Sequence, residues 1–419
     1  MCSGKVVVVG QGYVGLPIAM RAVEVGFDVM GLDIDKTRVE RLAGGLSHVE
    51  DVSNDSLRGA LASSRYLPTT DPAHCDGFDY AIVTVPTPLR ETQPDLSFIE
   101  DASTTLASHL RTGATVILES TTYPGTTEQL MVPLLEKHSG LTAGRQFHVG
   151  YSPERIDPGN KTHTFINTPK VVSGIDDASL TSVSALYQQL VDTVVPVSTP
   201  KEAELTKLLE NTFRHVNIAL VNELAMFARD LGIDIWEVID AASTKPFGFM
   251  RFTPGPGVGG HCLPVDPSYL SWQVRRTLGH NFRFVELAND LNDHMPDYVV
   301  QRLSSALNDE YKSIRGSRVL LVGLSYKKNT GDVRESPAIR VAELLSHLGA
   351  DLRAADPYAE PHLVNVPLTR VSLDAEEVDA ADAIILLTDH DIFDYDLLVS
   401  AKAYVLDTRR RLQGIRECL

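Results

Sequence analysis

The fold of this chain is decided by residues 5–33, KVVVVGQGYVGLPIAMRAVEVGFDVMGLD. A β-branched run at 5–9 is typical of a parallel strand buried on both faces, and the residues after it have the apolar spacing of a helix. Residues 27–33 have the pattern of a second strand. The alternation returns in strands predicted at 80–85, 115–118 and 147–151, separated by helical stretches such as 98–110 and 127–135. Strands that alternate with helices predict an α/β fold with a doubly wound parallel sheet.

The turn between this first strand and its helix has the pattern GxGxxG, with Gly10, Gly12 and Gly15, and Asp33 closes the second strand. Glycines at these positions allow a tight turn and a close approach of the backbone to a pyrophosphate, while the acid accepts from ribose hydroxyls. A glycine-rich turn without a ligand is the alternative. Asp33 favours NAD over NADP because a carboxylate repels a 2′-phosphate; the nearby Arg38 weakens that preference.

The rest of the 419 residues predicts two further domains. Residues 201–240 have the spacing of one long amphipathic helix, a Gly/Pro-rich loop follows, and helical sequence continues to about residue 308. At residue 317 the strand–helix alternation restarts. We therefore predict two Rossmann-like, doubly wound domains, residues 1–198 and 310–419, joined by a central helical domain with a long helix, residues 199–309. The central domain is expected to serve as a connector and an oligomerisation surface; a solvated spacer is the alternative.

Composition excludes several classes of protein. The chain is 43% hydrophobic and 22% charged, which is too apolar for a disordered protein. Its net charge of -17 disfavours binding to nucleic acid or to an anionic membrane. No apolar run approaches the ~20 residues of a membrane-spanning helix. The four cysteines are scattered without CxxC pairs, so we expect no disulfide framework, no metal site and a location in the reducing cytoplasm.

Several residues outside the first turn could carry chemistry. Cys262 lies in GVGGHCLPVDP, before a segment that resembles a helix start, and a thiol at a helix N-terminus is a competent nucleophile. A buried structural cysteine is the alternative, and His261 is interpreted as structural. Lys207 and Asn211, four residues apart, share one helix face, and Glu154 follows a strand end where α/β sheets bind ligands. Glu154 and Lys207 could together form an acid/base site, but the local sequence does not predict whether they are in contact.

A basic cluster is predicted in the last domain. It contains cations of the first turn and cations after the last strand: Lys327, Lys328, Arg334, Arg409 and Arg410. In an acidic protein such a cluster is suited to a diphosphate.

Six motifs occur in order: GQGYVG (10–15), ESTTYPGTT (119–127), SPERIDPGN (152–160), KLLEN (207–211), GPGVGGHCLPVD (255–266) and GLSYKKNTGDVRES (323–336). Together they resemble the UDP-glucose/GDP-mannose dehydrogenase family over nearly the whole chain. The resemblance implies an N-terminal NAD-binding domain, a central helical domain whose long helix lies at a dimer interface, and a C-terminal domain that binds the nucleotide of a UDP-sugar. A homodimer or a multiple of dimers is therefore expected.

The resemblance also implies site residues. Catalytic roles fall to the nucleophile Cys262 and to residues that position water or stabilise charge on oxygen: Asp266, Lys207, Asn211, Glu154 and Thr121. NAD contacts are expected from Gly10, Gly12, Tyr13, Val14, Gly15, Asp33, Arg38, Thr87, Thr121 and Arg334. UDP-sugar contacts are expected from Glu154, Arg155, Lys207, Asn211, Arg251, Gly257, Gly259, Tyr326, Lys327 and Arg409.

The implied reaction is a four-electron oxidation of the sugar's primary alcohol to a uronic acid, with two NAD and a covalent Cys262 adduct. SPERIDPGN differs from the SPEFLREG-like form of UDP-glucose dehydrogenases, and Pro158 stands where that form has its second acid. Arg155 with residues 157–159 resembles the branch that acts on UDP-N-acetylhexosamines. UDP-N-acetylglucosamine is favoured, with the mannosamine and galactosamine epimers and UDP-glucose as alternatives. A one-step oxidoreductase and a non-catalytic sugar-nucleotide-binding homologue stay open.

Overall fold

The computed structural model describes residues 4–90, 93–156, 160, 162–260, 262–412, 414 and 417–419, without the side chains of residues 262 and 264. The chain divides into two compact units, Met1–Glu210 and Asn211–Leu419. The predicted boundaries of three domains stay a prediction.

The first unit contains an eight-stranded sheet. Its strands are β1 (Lys5–Val9), β2 (Asp28–Leu32), β3 (Tyr66–Thr69), β4 (Tyr80–Val83), β7 (Thr115–Leu118), β8 (His148–Tyr151), β9 (Lys170–Gly174) and β10 (Val194–Pro196), with a separate hairpin of β5 (Leu89–Arg90) and β6 (Gln93–Pro94). The strand order is β10-β9-β8-β7-β4-β1-β2-β3, and every neighbouring pair is parallel except β8 and β9. Strand order reverses between β1 and β4, which is the switch point of a doubly wound sheet.

Helices cover both faces of this sheet. They are α1 (Gly15–Glu24), α2 (Lys36–Ala43), α3 (Asn54–Ala62), α4 (Ser97–Ala107), α5 (Val132–Ser139), which a π-turn at Thr127–Met131 precedes, and α6 (Asp177–Leu190). Val6 and Val8 of β1 pack into one core with α1 and α6, while Val7 and Val9 pack into a second core with α4. The β-branched run of β1 is therefore buried on both faces, as its pattern predicted.

The second unit contains a five-stranded sheet, all parallel, in the order β13-β12-β11-β14-β15. Its strands are β11 (Arg318–Val322), β12 (Asp351–Ala355), β13 (Thr369–Arg370), β14 (Ala383–Leu386) and β15 (Tyr404–Asp407). Its helices are α8 (Ile235–Ser243), α9 (Cys262–Leu278), α10 (Arg283–Asp309), α11 (Pro337–Leu348), α12 (Ala375–Ala380) and α13 (Asp396–Val399), and α7 (Pro200–Asp230) carries the boundary between the units. The predicted α/β class with two parallel sheets and a long helix is confirmed.

The predicted single helix over 201–240 is wrong in one respect: it is two helices, α7 and α8. Gly232 between them has φ = 71°, a conformation that favours glycine and ends the first helix. The Asp234 side chain accepts from the N–H groups of Trp236 and Glu237 and so caps α8. None of the helices in the part of the chain described above is both long and apolar enough to cross a membrane.

Candidate functional site

The turn after β1 brings its three glycines into different surroundings. Gly10 has φ = 90°, and a Cβ on Gly15 would lie 1.9 Å from the Gly10 carbonyl oxygen, so neither position tolerates a side chain. A Cβ on Gly12, by contrast, would meet no atom of the described residues within 4 Å. The turn is thus closely packed at both ends and open in the middle, where a pyrophosphate needs the backbone to be accessible.

Asp33 sits beside this turn with only 4% of its surface exposed. Its carboxylate accepts from the N–H groups of Gln11 at 2.7 Å and Asp35 at 2.9 Å, and it pairs with Arg38 at 2.9 Å. Arg38 is therefore held on the acid. Each carboxylate oxygen has two lone pairs, so these bonds leave one on Oδ1 for a ribose hydroxyl. The geometry fits the ribose of NAD.

The other residues assigned to NAD lie near the same turn or at the carboxyl ends of strands. Tyr13 is exposed and Val14 is half-buried in the turn itself; Thr87 is buried after β4, and Thr121 is half-buried after β7. Ligands of parallel sheets collect at this edge. Arg334 lies in the second unit, where its guanidinium pairs with Asp332 at 2.6 Å.

Glu154 and Lys207, which local sequence could not place together, form an ion pair with Nζ and Oε2 3.3 Å apart. Both side chains are nearly buried. Arg155 is engaged separately, by Glu210 at 2.7 Å. A buried pair in low dielectric interacts strongly with any charge that develops nearby.

A buried cluster that the sequence did not predict contains Glu119, which lies near Glu154. Lys170, the first residue of β9, donates to the Glu119 carboxylate and, at 3.1 Å, to the Pro153 carbonyl, and the Tyr187 hydroxyl donates to Glu119 at 2.5 Å. Burial raises the pKa of Glu119, and the Lys170 charge offsets part of that rise. Glu119 precedes Thr121 by two residues, but its partner is 51 residues away, and no local pattern links them.

Glu204 was also missed. Its buried carboxylate accepts from the Gly125 N–H at 2.5 Å and from the Thr127 N–H and hydroxyl at 2.9 and 2.7 Å. Burial raises the pKa of Glu204 to about 7, although these hydrogen bonds oppose the rise. It anchors the loop that follows Thr121 to α7, three residues before Lys207. In the sequence, Glu204 could have been found from its position three residues before Lys207, an E-x-x-K spacing on the same helix.

In the second unit, Asn211 donates to the Asp266 carboxylate at 2.5 Å, and both side chains are buried. Helix α9 begins at Cys262, so Cys262 and Asp266 are four residues apart on one helix. The side chain of Cys262 lies outside the description, as do His261 and residues 157–159.

The glycine-rich loop before α9 packs tightly within this unit. A Cβ on Gly259 would lie 2.7 Å from the Tyr326 Cβ and 2.9 Å from Pro337, and Gly257 has φ = 130°. A Cβ on Gly255 would lie 3.0 Å from an Arg409 guanidinium nitrogen. Four residues assigned to the UDP-sugar therefore lie in one neighbourhood: Gly257, Gly259, Tyr326 and Arg409.

Most cations near this neighbourhood pair with carboxylates of their own unit. Lys328 pairs with Asp391 at 3.2 Å, and Arg251 and Arg410 pair with Asp240 at 2.7 and 3.2 Å. The hydrogen bond from Arg251 holds the pKa of Asp240 below its usual value. Arg409 donates through Nε to the Leu387 carbonyl at 2.8 Å. Within the described ranges no group of three or more His, Cys, Asp and Glu side chains could hold a metal ion.

Comparison with known proteins decides the family. Residues 4–191, 201–294 and 320–414 match, respectively, the NAD binding domain, the central domain and the UDP binding domain of UDP-glucose/GDP-mannose dehydrogenases. The chain belongs to the UDP-glucose/GDP-mannose dehydrogenase family. This dehydrogenase is an NAD-dependent oxidoreductase that acts on UDP-sugars, so the predicted family, cofactor and class of enzyme are confirmed.

Its relatives carry different substrate names. The dehydrogenase is 40% identical over 395 residues to the UDP-N-acetyl-D-glucosamine 6-dehydrogenase of Pseudomonas aeruginosa, covering 93% of this chain and 91% of the relative. It is 36% identical over 392 residues to the UDP-N-acetyl-D-mannosamine dehydrogenase of Pyrococcus horikoshii, covering 93% and 90%. The solved structure of a UDP-D-ManNAc dehydrogenase from Pyrococcus horikoshii superposes with a TM-score of 0.90 at 32% identity, covering 99% of this chain and 98% of that one.

Proposed function

We propose that the dehydrogenase oxidises the C6 alcohol of a UDP-N-acetylhexosamine, with UDP-N-acetylglucosamine as the favoured substrate, to the uronic acid through a covalent Cys262 adduct. The observation that carries the proposal is the hydrogen bond from Asn211 of α7 to Asp266, which lies on the helix that Cys262 begins. It puts a buried amide and carboxylate one helical turn from the cysteine. The start of a helix also favours negative charge, as on a thiolate.

The residues of the site have different roles in the oxidation. NAD, when bound at the open turn beside Asp33, accepts a hydride in each oxidation. Lys207 and Asn211, both buried, stabilise negative charge on the C6 oxygen once its proton has passed to a water molecule. The Cys262 thiolate adds to the aldehyde carbon and retains it as a thiohemiacetal. Loss of the second hydride leaves a thioester, and water, held by Thr121 and Glu154, hydrolyses it to the acid and the free thiol.

The N-acetylated substrate is supported by the SPERIDPGN segment and by the names of the two relatives above. The first test measures kcat/KM for UDP-N-acetylglucosamine, its mannosamine and galactosamine epimers, and UDP-glucose. We expect UDP-N-acetylglucosamine to lead and two NADH to form per sugar. A clear preference for UDP-glucose contradicts the substrate, and one NADH per sugar indicates a one-step oxidoreductase.

The second test replaces Cys262 by Ser and follows acid formation at steady state. We expect a loss of at least about 1000-fold, since a hydroxyl at neutral pH is a far weaker nucleophile than a thiolate. Cys418→Ser is the matched control, because Cys418 is a half-buried cysteine of the same unit and forms no disulfide within the described residues. Undiminished acid formation by Cys262→Ser would refute the covalent route.

We further propose that the dehydrogenase is a homodimer formed through α7. The helix and the residue directly after it expose apolar side chains at spacings of seven, four, three and four residues: Phe213, Leu220, Leu224 and Phe227 in α7, and Leu231 after it. Apolar residues at such spacings form the contact face between two packed helices. Neither Cys75 nor Cys418 forms a disulfide within the described residues, which agrees with a reducing cytoplasmic location. Sedimentation of Leu224→Glu, expected to yield monomers, tests the interface; an unchanged dimer contradicts it.

A further inference from the structure

The second sheet holds a buried acid at the position that Asp33 occupies in the first. Asp356 directly follows β12, and both its side chain and that of His390 are fully buried. Its carboxylate accepts from four backbone N–H groups at 2.7–3.0 Å, those of Leu324, Ser325, Tyr358 and Ala359. His390 Nε2 lies 3.1 Å from Oδ2. These bonds use the acceptor capacity of the carboxylate, which therefore serves the protein rather than a ribose.

The hydrogen bonds also determine the protonation of His390. The Asn329 N–H donates to Nδ1 at 2.8 Å, so Nδ1 is the acceptor and the ring proton is on Nε2, facing Asp356. Burial raises the pKa of Asp356, but the hydrogen bonds from His390, Ala359 and Leu324 outweigh it and lower the pKa. His390 thus bridges a buried carboxylate to the backbone of the loop formed by residues 325–332.

This loop carries Tyr326 and Lys327 between two anchored residues. Ser325 Oγ donates to the Lys327 carbonyl at 2.9 Å, and Asn329 is held by His390 two residues further on. Asn329 has φ = 59°, a conformation that asparagine tolerates better than most residues, and its side chain is bonded to Asp391. The backbone on both sides of Lys327 is therefore fixed by contacts within the unit.

We propose that His390 is a positioning residue for the nucleoside diphosphate of the substrate: its Nδ1 holds the Asn329 N–H and so presents Tyr326 and Lys327 to the ligand. The inference rests on the proposed function, in which these two residues contact the UDP-sugar. A purely structural role, in which His390 only satisfies the buried Asp356, makes the opposite prediction for two conservative variants.

The experiment compares His390→Asn with His390→Gln in the full chain, using UDP as the probe in calorimetric titrations. Asparagine places an acceptor near Nδ1 and keeps the loop contact; glutamine places a donor near Nε2 and keeps only the Asp356 contact. We expect the Kd for UDP to rise about 10-fold in His390→Gln and by less than about 3-fold in His390→Asn, as for one lost buried hydrogen bond. KM for the UDP-sugar should follow Kd, with kcat and the Kd for NAD unchanged.

His347→Gln is the control, since His347 is exposed on α11 of the same unit. Wild-type UDP affinity in His390→Gln, or equal weakening in both His390 variants, overturns the inference. Ser325→Ala removes the Lys327 anchor and a 3.3 Å contact of Oγ with His390 Nε2, but keeps the shorter His390–Asp356 contact and the Asn329 contact. It therefore tests the loop even where His390→Gln does not fold. It should weaken UDP binding but not NAD binding; wild-type affinity for UDP counts against the inference. Failure of the wild type to bind UDP refutes the proposed function and this inference together.

Discussion

Residues 10–15 and residues 323–328 each follow the first strand of a sheet, and the two turns begin alike. Gly10 and Gly323 have φ of 90° and 84°, and each donates at 2.8 Å to the last carbonyl of the neighbouring strand. The next N–H, of Gln11 or Leu324, donates at 2.7 Å to the acid after that strand. Both turns therefore follow the same backbone path, which is typical of the first turn in a nucleotide-binding domain.

The third position of each turn makes the difference. Gly12 leaves its surroundings open, whereas Ser325 has a side chain that bonds back to the loop. Asp33 retains a lone pair, whereas His390 and four N–H groups surround Asp356. Strand, glycine and acid therefore set the backbone path, and the remaining acceptor capacity decides whether a ribose can bind.

The largest effect is expected from Gly15→Ala. The new Cβ would lie 1.9 Å from the Gly10 carbonyl oxygen, backbone that cannot yield, so the first unit should lose about 3 kcal/mol or more of stability. Chemical denaturation measures the loss. Gly59→Ala is the control, as nothing described lies within 4 Å of that helical position, and it should be neutral or stabilising. Equal stability of the two variants would show that close packing does not define this turn.

The next-largest effects are expected from replacing Asp356 and Asp33, which should change stability and NAD binding differently. Asp356→Asn leaves buried donors unpaired and should cost about 3 kcal/mol of unfolding free energy, with NAD affinity unchanged. Asp33→Asn disturbs three hydrogen bonds rather than five and should cost less, about 1 kcal/mol, while weakening NAD binding about 10-fold through its lost ribose acceptor. Denaturation and NAD titration of both variants provide the check. A larger loss of stability in Asp33→Asn, or a larger loss of NAD affinity in Asp356→Asn, would contradict the proposed difference between the two acids.

Buried acids of the two units should also respond to pH with opposite signs. The pKa of Glu204 is raised by burial to about 7, so the folded chain holds a proton that the unfolded chain releases above about pH 4.5. The ionisation of Glu204 therefore lowers the unfolding free energy as pH rises from about 4.5 to 7. Asp356 has a lowered pKa, and its contribution is complete above about pH 4 and lost as pH falls.

Unfolding free energies at pH 5 and pH 8 test the Glu204 half of this contrast. Over that interval the wild type should lose on the order of 2 kcal/mol more than Glu204→Gln, which cannot ionise. Parallel profiles for the two proteins would mean that Glu204 does not titrate in this window.

The smallest effect is expected from Gly12→Ala. Its Cβ meets no described atom within 4 Å, so the unfolding free energy should stay within about 0.5 kcal/mol of wild type. NAD affinity should nevertheless fall about 10-fold, because the methyl group occupies the space of the pyrophosphate. Titration with NAD and with UDP checks this, since UDP binding should not change. Unaltered NAD affinity would place the pyrophosphate elsewhere.

Much of the fold could be predicted because its signals are local. The β1 strand, its glycine turn and Asp33 are recognisable within 29 residues, since β-branched runs and positive-φ glycines depend on near neighbours. The residues 170–174 were missed as a strand because a lysine begins them and only two valines follow. The break between α7 and α8 was missed because apolar spacing continues across Gly232.

The candidate site divides in the same way. Cys262, Lys207, Asn211 and Asp33 could be named from motifs, each of which spans a few residues. The contacts of Lys170 with Glu119 and of His390 with Asp356 join residues 51 and 34 positions apart. Which strands become neighbours, as when β9 pairs antiparallel with β8, depends on burying both faces of a whole sheet, and no short window of residues contains that information.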